Sequence, residues 1–325
     1  MADRDTITQV VQIGVESTAG GTVAANRKLQ ALTIQPAIQV TASRYRSTGT
    51  KYPSAVVQGK EWVQAALAGH AAYNDLLYAF ASMFGTVAAT QQGTLVAYKY
   101  SWTPNQSSPD TPQTFTVEQG SSVRAHSFGY GLVTDLTLNS DRENVTVDGT
   151  MIGQRLNDGV TLTGAPTAIA DKPVRPSKID VYLDTTSWGL GSTQLTRAFT
   201  YRWGLTGKFG PIWPLDSSKT SFAAHAELEP TCEIVMRAEA DATGMGLLTN
   251  LRAGTKNWIR FKAAGDAIGT SAYSLTIDAC VEVAAIGDFS DTDGVFATEF
   301  TLVPVYDETW AKAFTIDLIC DRSGL

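Results

Sequence analysis

Glu227 and Glu229 stand one residue apart in the alternating stretch SFAAHAELEP. Alternation turns both carboxylates to one side of a strand, about 7 Å apart from the rise per residue. Paired carboxylates are what glycoside hydrolysis needs, but they then face each other across a cleft. Two on one strand read better as part of a polar face. His70, His126 and His225 are the histidines, and none has the i, i+4 spacing of a helical metal site. Asp291, Asp293 and Gly294 echo part of a calcium loop, yet Phe289 and Phe300 stand where its first and last ligands belong, so an Asp-rich turn is expected. Cys232, Cys280 and Cys320 lie far apart without CxxC spacing and read as small packing residues rather than a disulfide framework or a zinc site. GxSxG, P-loop and strand-linked GxGxxG patterns do not occur, and Gly189 with Gly191 and Gly244 with Gly246 read as turn and helix-start glycines. Trp203, Trp213 and Trp258 are able to stack bases or sugars, but large aromatics more often fill cores and interfaces. The expectation is a protein without catalytic residues, cofactor or metal.

The elements that carry these residues are mostly strands. At 325 residues the chain is long enough for two domains of ordinary size or one large β-domain. Hydrophobic residues at 43% and a mean hydropathy of −0.06 describe a globular chain. Its apolar runs fall far short of the ~20 residues of a membrane span, and MADRDTITQVVQ lacks the apolar core of a secretory signal, so neither membrane nor export is expected. The net charge of −7 disfavours a surface that grips phosphate backbones. It does not disfavour one that nucleic acid slides past.

LTIQPAIQV, the turn region SRYRSTGTKYP and SAVVQGKEWVQAALA read as a long hairpin. AYNDLLYAFASMFG follows as a short amphipathic helix with Tyr73, Leu76, Leu77, Phe80 and Phe84 on one face and Gly85 as its stop. A second helix is expected in ATGMGLLTNLRAG, capped by Thr243, with Met245, Leu248 and Leu251 on one side and Gly254 closing it. The two halves share an order: long hairpin, short helix, then paired strands, with SFGYGLVTDLTLNS and VTVDGTMIG answered by YSLTIDACVEVAAIG and GVFATEFTLVPV. The division that follows is an extended N-terminal arm over 1–27, a first module over 28–158, a Pro-rich linker over 159–177 and a second module over 178–325.

The ordered set IGVESTAGGTVAANRKLQALTIQP, RYRSTGTKYPSAVVQGKEW with the helix after it, SLTIDACVEVAAIGDFSDTDGVFATEFTLVPVYD and WAKAFTIDLI resembles the major tail-tube proteins of long, non-contractile (siphovirus-like) bacteriophage tails. The resemblance implies a mainly β, β-rich α+β fold of two tandem sandwich or half-barrel modules, each with a long hairpin and a short flanking helix. It implies rings stacked into a tube that conducts DNA into the host, assembled in the host cytoplasm and carried in the virion. Tape-measure and tail-tip or terminator proteins would be partners, and DNA would pass without specific binding. Most family members carry one module per chain and form hexamers. This chain is about twice as long, so a ring of three chains with pseudo-sixfold symmetry is favoured over a hexamer. Exposed strand edges are a liability that ring closure removes. On that reading Gln58, Lys60 and Gln64 in the first half and His225, Glu227 and Glu229 in the second are candidate lumen-facing residues. A carbohydrate-binding or adhesive β-domain is the alternative.

Overall fold

A strand runs both its N–H and C=O groups sideways, and the alternating stretches of this sequence find partners for most of theirs in sheets. The computed structural model describes residues 7–93, 96–217 and 220–325, and the protein is mainly β. The first half carries β1 (Val10–Val15), β2 (Arg27–Lys28), β3 (Leu32–Tyr45), β4 (Ala55–His70), α1 (Tyr73–Phe84), β5 (Thr90–Gln91), β6 (Tyr98–Trp102), β7 (Phe115–Gly120), β8 (Ala125–Ser140), β9 (Val145–Gly153), β10 (Asn157–Val160) and β11 (Thr167–Ala168). The second carries β12 (Ile179–Asp184), β13 (Ala198–Thr206), β14 (Phe209–Ile212), β15 (Ala224–Glu227), β16 (Thr231–Glu239), α2 (Ala242–Ala253), β17 (Asn257–Ile268), β18 (Ser271–Ile286), β19 (Ser290–Thr292), β20 (Val295–Pro304) and β21 (Phe314–Cys320).

The same chain of antiparallel pairings occurs twice. In the first half it runs β3, β4, β9, β8, and the start of β8 turns to β7, which pairs with β1. In the second it runs β13, β16, β20, β18, and the start of β18 turns to β17, which pairs with β12. Even the irregularity recurs: the β8–β9 ladder slips between Val133 and Asp135, the β18–β20 ladder between Val283 and Ala285. Such a bulge bends a long strand and lets its two ends serve different neighbours. The halves then join where Leu136 to Ser140 of β8 pair with Leu205 to Tyr201 of β13, and again where β6 pairs with β21. As a result one row of opposed residues, Leu32, Gly69, Val147, Leu138, Trp203, Ile234, Leu302 and Val283, crosses both halves without interruption. Every side chain in that row is buried.

Helix α1 lies in the space this curved sheet encloses. The spacing predicts one apolar face, but all twelve residues are buried, because β18 and β21 of the second half cover the side that would otherwise meet solvent. Phe80 packs against Trp102 and Trp203 at centroid separations of 5.5 and 6.4 Å, Phe84 against Phe314 at 6.0 Å, and Tyr73 stacks on Tyr273 at 5.6 Å. Asn74, Asp75 and Ser82 of the helix are buried, each with a partner on one side-chain atom. Asn74 Nδ2 donates to Ala170 O at 2.8 Å, Ser82 Oγ accepts from Val133 N at 2.9 Å, and Asp75 Oδ1 accepts from Gln30 N and Ala31 N at 3.3 Å each. Gly85 ends the helix at φ 91°, where a Cβ would stand 2.3 Å from Thr111 O. Helix α2 is peripheral. Its cap is Asp241 rather than Thr243, the carboxylate accepting from Gly244 N at 2.8 Å, and its buried side is Gly244 and Leu247 instead of Met245 and Leu248. Gly254 closes it in the left-handed conformation, as expected.

The segments expected as an extended arm and a linker contain paired and buried residues. Within the arm expected over 1–27, residues 1–6 lie outside the described residues, but Val10–Val15 is a strand between β2 and β7. Glu16 just after it is buried, and its carboxylate accepts from Gly20 N, Tyr130 N, Thr114 Oγ1 and Thr116 Oγ1 at 2.8 to 2.9 Å. Four donors on one carboxylate replace the water it loses, which is why an acidic residue is tolerated there. In the linker expected over 159–177, β11 pairs with β2, Ile169 and Val174 are buried, and Pro173 bridges to Ala72 at the start of α1. Low periodicity concealed both, since their anchors are single residues reaching distant strands.

Truncating Phe80 to Ala is expected to cost about 3 to 5 kcal/mol in urea unfolding, the range for a large buried aromatic, and a loss under about 1 kcal/mol would contradict the placement of α1. Burial raises the Asp75 carboxyl to about 6, against its two backbone donors. The native state therefore holds a proton that the unfolded chain releases near 4, so stability falls as pH rises through that window, by on the order of 3 kcal/mol. Asp75→Asn should remove this part of the slope between about pH 4 and pH 7, read from urea midpoints.

Candidate functional site

Residues Leu136 to Ser140 have strand partners on both sides, β9 and β13. Among the described residues, the matching tract of β18, from Glu282 to Ile286, pairs only with β20. Among the described residues β3 likewise has one strand partner, β4, along its whole length. The repeated sheet thus begins and ends in a free border. Pro36, which has no N–H to give, sits in β3 as prolines do in edge strands. Large apolar side chains are exposed at or near both borders: Ile38 and Val40 on β3, and Phe289 just after β18, whose ring stacks at 4.9 Å on that of Phe296 at the start of β20. Unpaired edges with apolar side chains are pairing sites unless something covers them.

The face of this sheet turned away from α1 is polar. His70, Thr146, Asn139, Arg202, Val235, Thr301 and Ala285 form one row, and Thr33, Ala68, Asp148, Thr137, Gly204 and Glu233 another. Its charges are largely engaged locally: Asn139 Nδ2 donates to Asp148 Oδ2 at 3.1 Å, and Arg202 Nη1 lies 3.9 Å from Glu233 Oε2. In these rows hydroxyl and carboxylate groups outnumber the basic Arg202 and His70, so this face offers phosphate little to hold.

Of the residues singled out from sequence, Gln64 lies on this face, opposite Ala37. Gln58 does not follow it. Gly59 and Lys60 bulge opposite Thr41, whose Oγ1 accepts from Lys60 N at 2.7 Å, and the extra residue reverses the alternation beyond it. Lys60 places its ammonium 5.2 Å from the centre of the Trp213 ring. His225 and Glu227 share one side of β15, but that side packs on the protein. The His225 Nδ1 meets the Tyr130 hydroxyl at 2.8 Å, within a second apolar cluster of Tyr130, Leu132, Ile152, Phe209 and Phe222. Glu229 falls beyond the end of β15 and is exposed, so the two glutamates do not form a pair. Asn139, Thr146, Asp148 and Arg202 were missed. Their signal was present as two-residue alternation in LTLNS, VTVD and YRW, but alternation alone does not say which polar face lines a cavity.

Sequence also missed a buried ionic cluster between the halves. Lys208 follows β13 and is 1% exposed, Asp110 lies in the loop between β6 and β7 and is 8% exposed. Lys208 Nζ stands 2.5 Å from Asp110 Oδ2, 3.5 Å from Glu227 Oε1 and 4.2 Å from the centre of the Phe84 ring. Glu227 Oε2 accepts from Asp110 N at 2.6 Å, and Asp110 Oδ1 accepts from Asn105 N and Asn105 Nδ2 at 3.1 and 2.8 Å. A lysine in TGKFG carries no sequence mark of burial.

Among the described residues no group of three or more His, Cys, Asp or Glu is placed to hold a metal ion. Asp291 caps its own turn through Gly294 N at 3.2 Å, and Asp293 pairs with Arg142. The three cysteines are free thiols; burial pushes Cys232 and Cys320 up to about 12 and Cys280 to about 11, which suits packing rather than reactivity. No helix is long and apolar enough to cross a membrane among the described residues. No family model matches the chain, and no curated protein matches its sequence.

Burial holds the His225 imidazole below the ordinary histidine range, with the Glu227 carboxylate pulling weakly the other way. The unfolded chain then takes up the proton first, so His225 costs stability as pH falls through about 6.5. An NMR titration should place its midpoint below about 6.5; a midpoint above it would contradict the packing described for β15.

Proposed function

We propose that the chain is a structural subunit that closes into rings by joining its two free sheet borders, and that stacked rings form the tail tube of a siphovirus-like phage. The observation that carries this reading is the β8–β13 seam. A contact that joins the end of one pairing series to the start of the next is made once inside the chain, and both surfaces needed to make it again are left free. Aligning the halves on their shared slip sets Val133, Met151, Ala65 and Pro36 against Val283, Leu302, Ile234 and Trp203. Leu136 opposite Leu205 then corresponds to Ile286 opposite Ile38 of the next copy. Both of these residues are apolar, as the seam requires.

Repeating a heterologous contact closes a ring when the rotation allows, and a chain holding two units closes with three copies where a single-unit chain needs six. The polar face would line the bore. Its mix of hydroxyls, carboxylates and locally paired arginines avoids the firm cation–phosphate contacts that release counterions and would slow a passing DNA. Tape-measure and tail-tip or terminator proteins are the partners such a tube would need.

Negative-stain microscopy of the purified chain is the test. Rings or short tubes with a central hole are expected, and Ile38→Lys should convert them to monomers in sedimentation while circular dichroism stays unchanged. A dispersed wild-type monomer would count against the reading, as would rings that tolerate the lysine.

A further inference from the structure

We infer that Lys208 and Asp110 condense into an intramolecular isopeptide bond, with Glu227 as the proton carrier. This chemistry is independent of ring assembly.

The cluster has each part the reaction needs. The amine and the carboxyl are in contact, Nζ to Oδ2 at 2.5 Å, and both residues are nearly inaccessible to water. Holding the partners together supplies what a bimolecular condensation in solution lacks. Asp110 Oδ1 receives two N–H donors from Asn105, at 3.1 and 2.8 Å, aimed at the oxygen on which negative charge develops when nitrogen attacks Cγ. Glu227 is held beside the reacting pair, with Oε1 3.5 Å from Nζ and Oε2 anchored on the Asp110 main-chain N–H at 2.6 Å. Phe84 and Phe209 border the ammonium at 4.2 and 5.5 Å and exclude solvent from it.

The step balances without any further reagent. The Lys208 ammonium first gives a proton to Asp110 Oδ2, with which it is in contact, so that a neutral amine faces a neutral carboxyl. The nitrogen lone pair then attacks Cγ to form the N–C bond, and Oδ1 carries the negative charge of the tetrahedral adduct under the Asn105 donors. Glu227 takes the second proton from nitrogen and passes it to the Oδ2 hydroxyl, which leaves as water as the Cγ–Oδ2 bond breaks. Three ammonium hydrogens become one amide hydrogen and one water, and Glu227 ends as it began. In open water the ion pair wins over the amide. Here condensation removes two charges from a buried site, where charges are costly to keep. The product ties residues 98 positions apart, joining the Pro-rich loop before β7 in the first half to the turn after β13 in the second.

The test is the intact mass of the purified, denatured full-length protein. It should be lighter than the sequence mass by one water, and proteolysis should yield a branched peptide containing both Asp110 and Lys208. Lys208→Arg and Glu227→Gln should both keep the full sequence mass, with folding checked by circular dichroism. Wild-type protein at full sequence mass overturns the proposal even if either variant fails to fold. So does water loss without the branched peptide. Water loss that persists in Glu227→Gln overturns the role given to Glu227.

Discussion

Each strand presents donors and acceptors on two sides, and a repeated series of strands therefore cannot satisfy itself at both ends. That constraint governs this protein. The series β3, β4, β9, β8 passes its last edge to β13, and the series β13, β16, β20, β18 has no strand to pass its own to among the described residues. The long strands β8 and β18 make this geometry possible, because each bends at a one-residue slip and so serves one set of neighbours with its first half and another with its second.

The core follows from the bend. A sheet that curves through both halves encloses a space wide enough for a helix, and α1 fills it with Phe80 and Phe84 against aromatics drawn from β6, β13 and β21. Its counterpart α2 has no such space and stays at the surface, held by Gly244 and Leu247. The two pairing series are alike, but their helices do different work: one is the centre of the molecule, the other a cover on β18. Where the halves meet away from the sheet, a lysine ringed by carboxylates and aromatics replaces apolar packing.

Much of this was legible in sequence where a period repeats over many residues. The hairpin of β3 and β4, the long β8 and β18, the two helices and their glycine stops at Gly85 and Gly254 all come from patterns that local geometry enforces. What was not legible depends on single residues meeting far along the chain. One extra residue at Gly59 and Lys60 reverses a face, so Gln58 and Gln64 part company. Four donors on Glu16 turn an apparent arm into framework. His225 and Glu227 read as a polar strand face because alternation records which residues share a side, not whether water or Tyr130 and Lys208 wait there. Hydrophobic spacing suggested a shared order of elements in the halves, long hairpin, short helix and paired strands, but the strand pairings themselves depend on register, which spacing does not record.

On the proposed ring, the end of β18 meets the start of β3 in another copy, in the register of the internal seam. Replacing Ile286 and Ile38 together by cysteine and oxidising the protein reads that contact directly, because a disulfide forms only between residues already close and suitably aimed. On the proposed ring a covalent closed trimer is expected on a non-reducing gel, absent when either cysteine is left out. Monomer alone, with the protein fully folded, would contradict it.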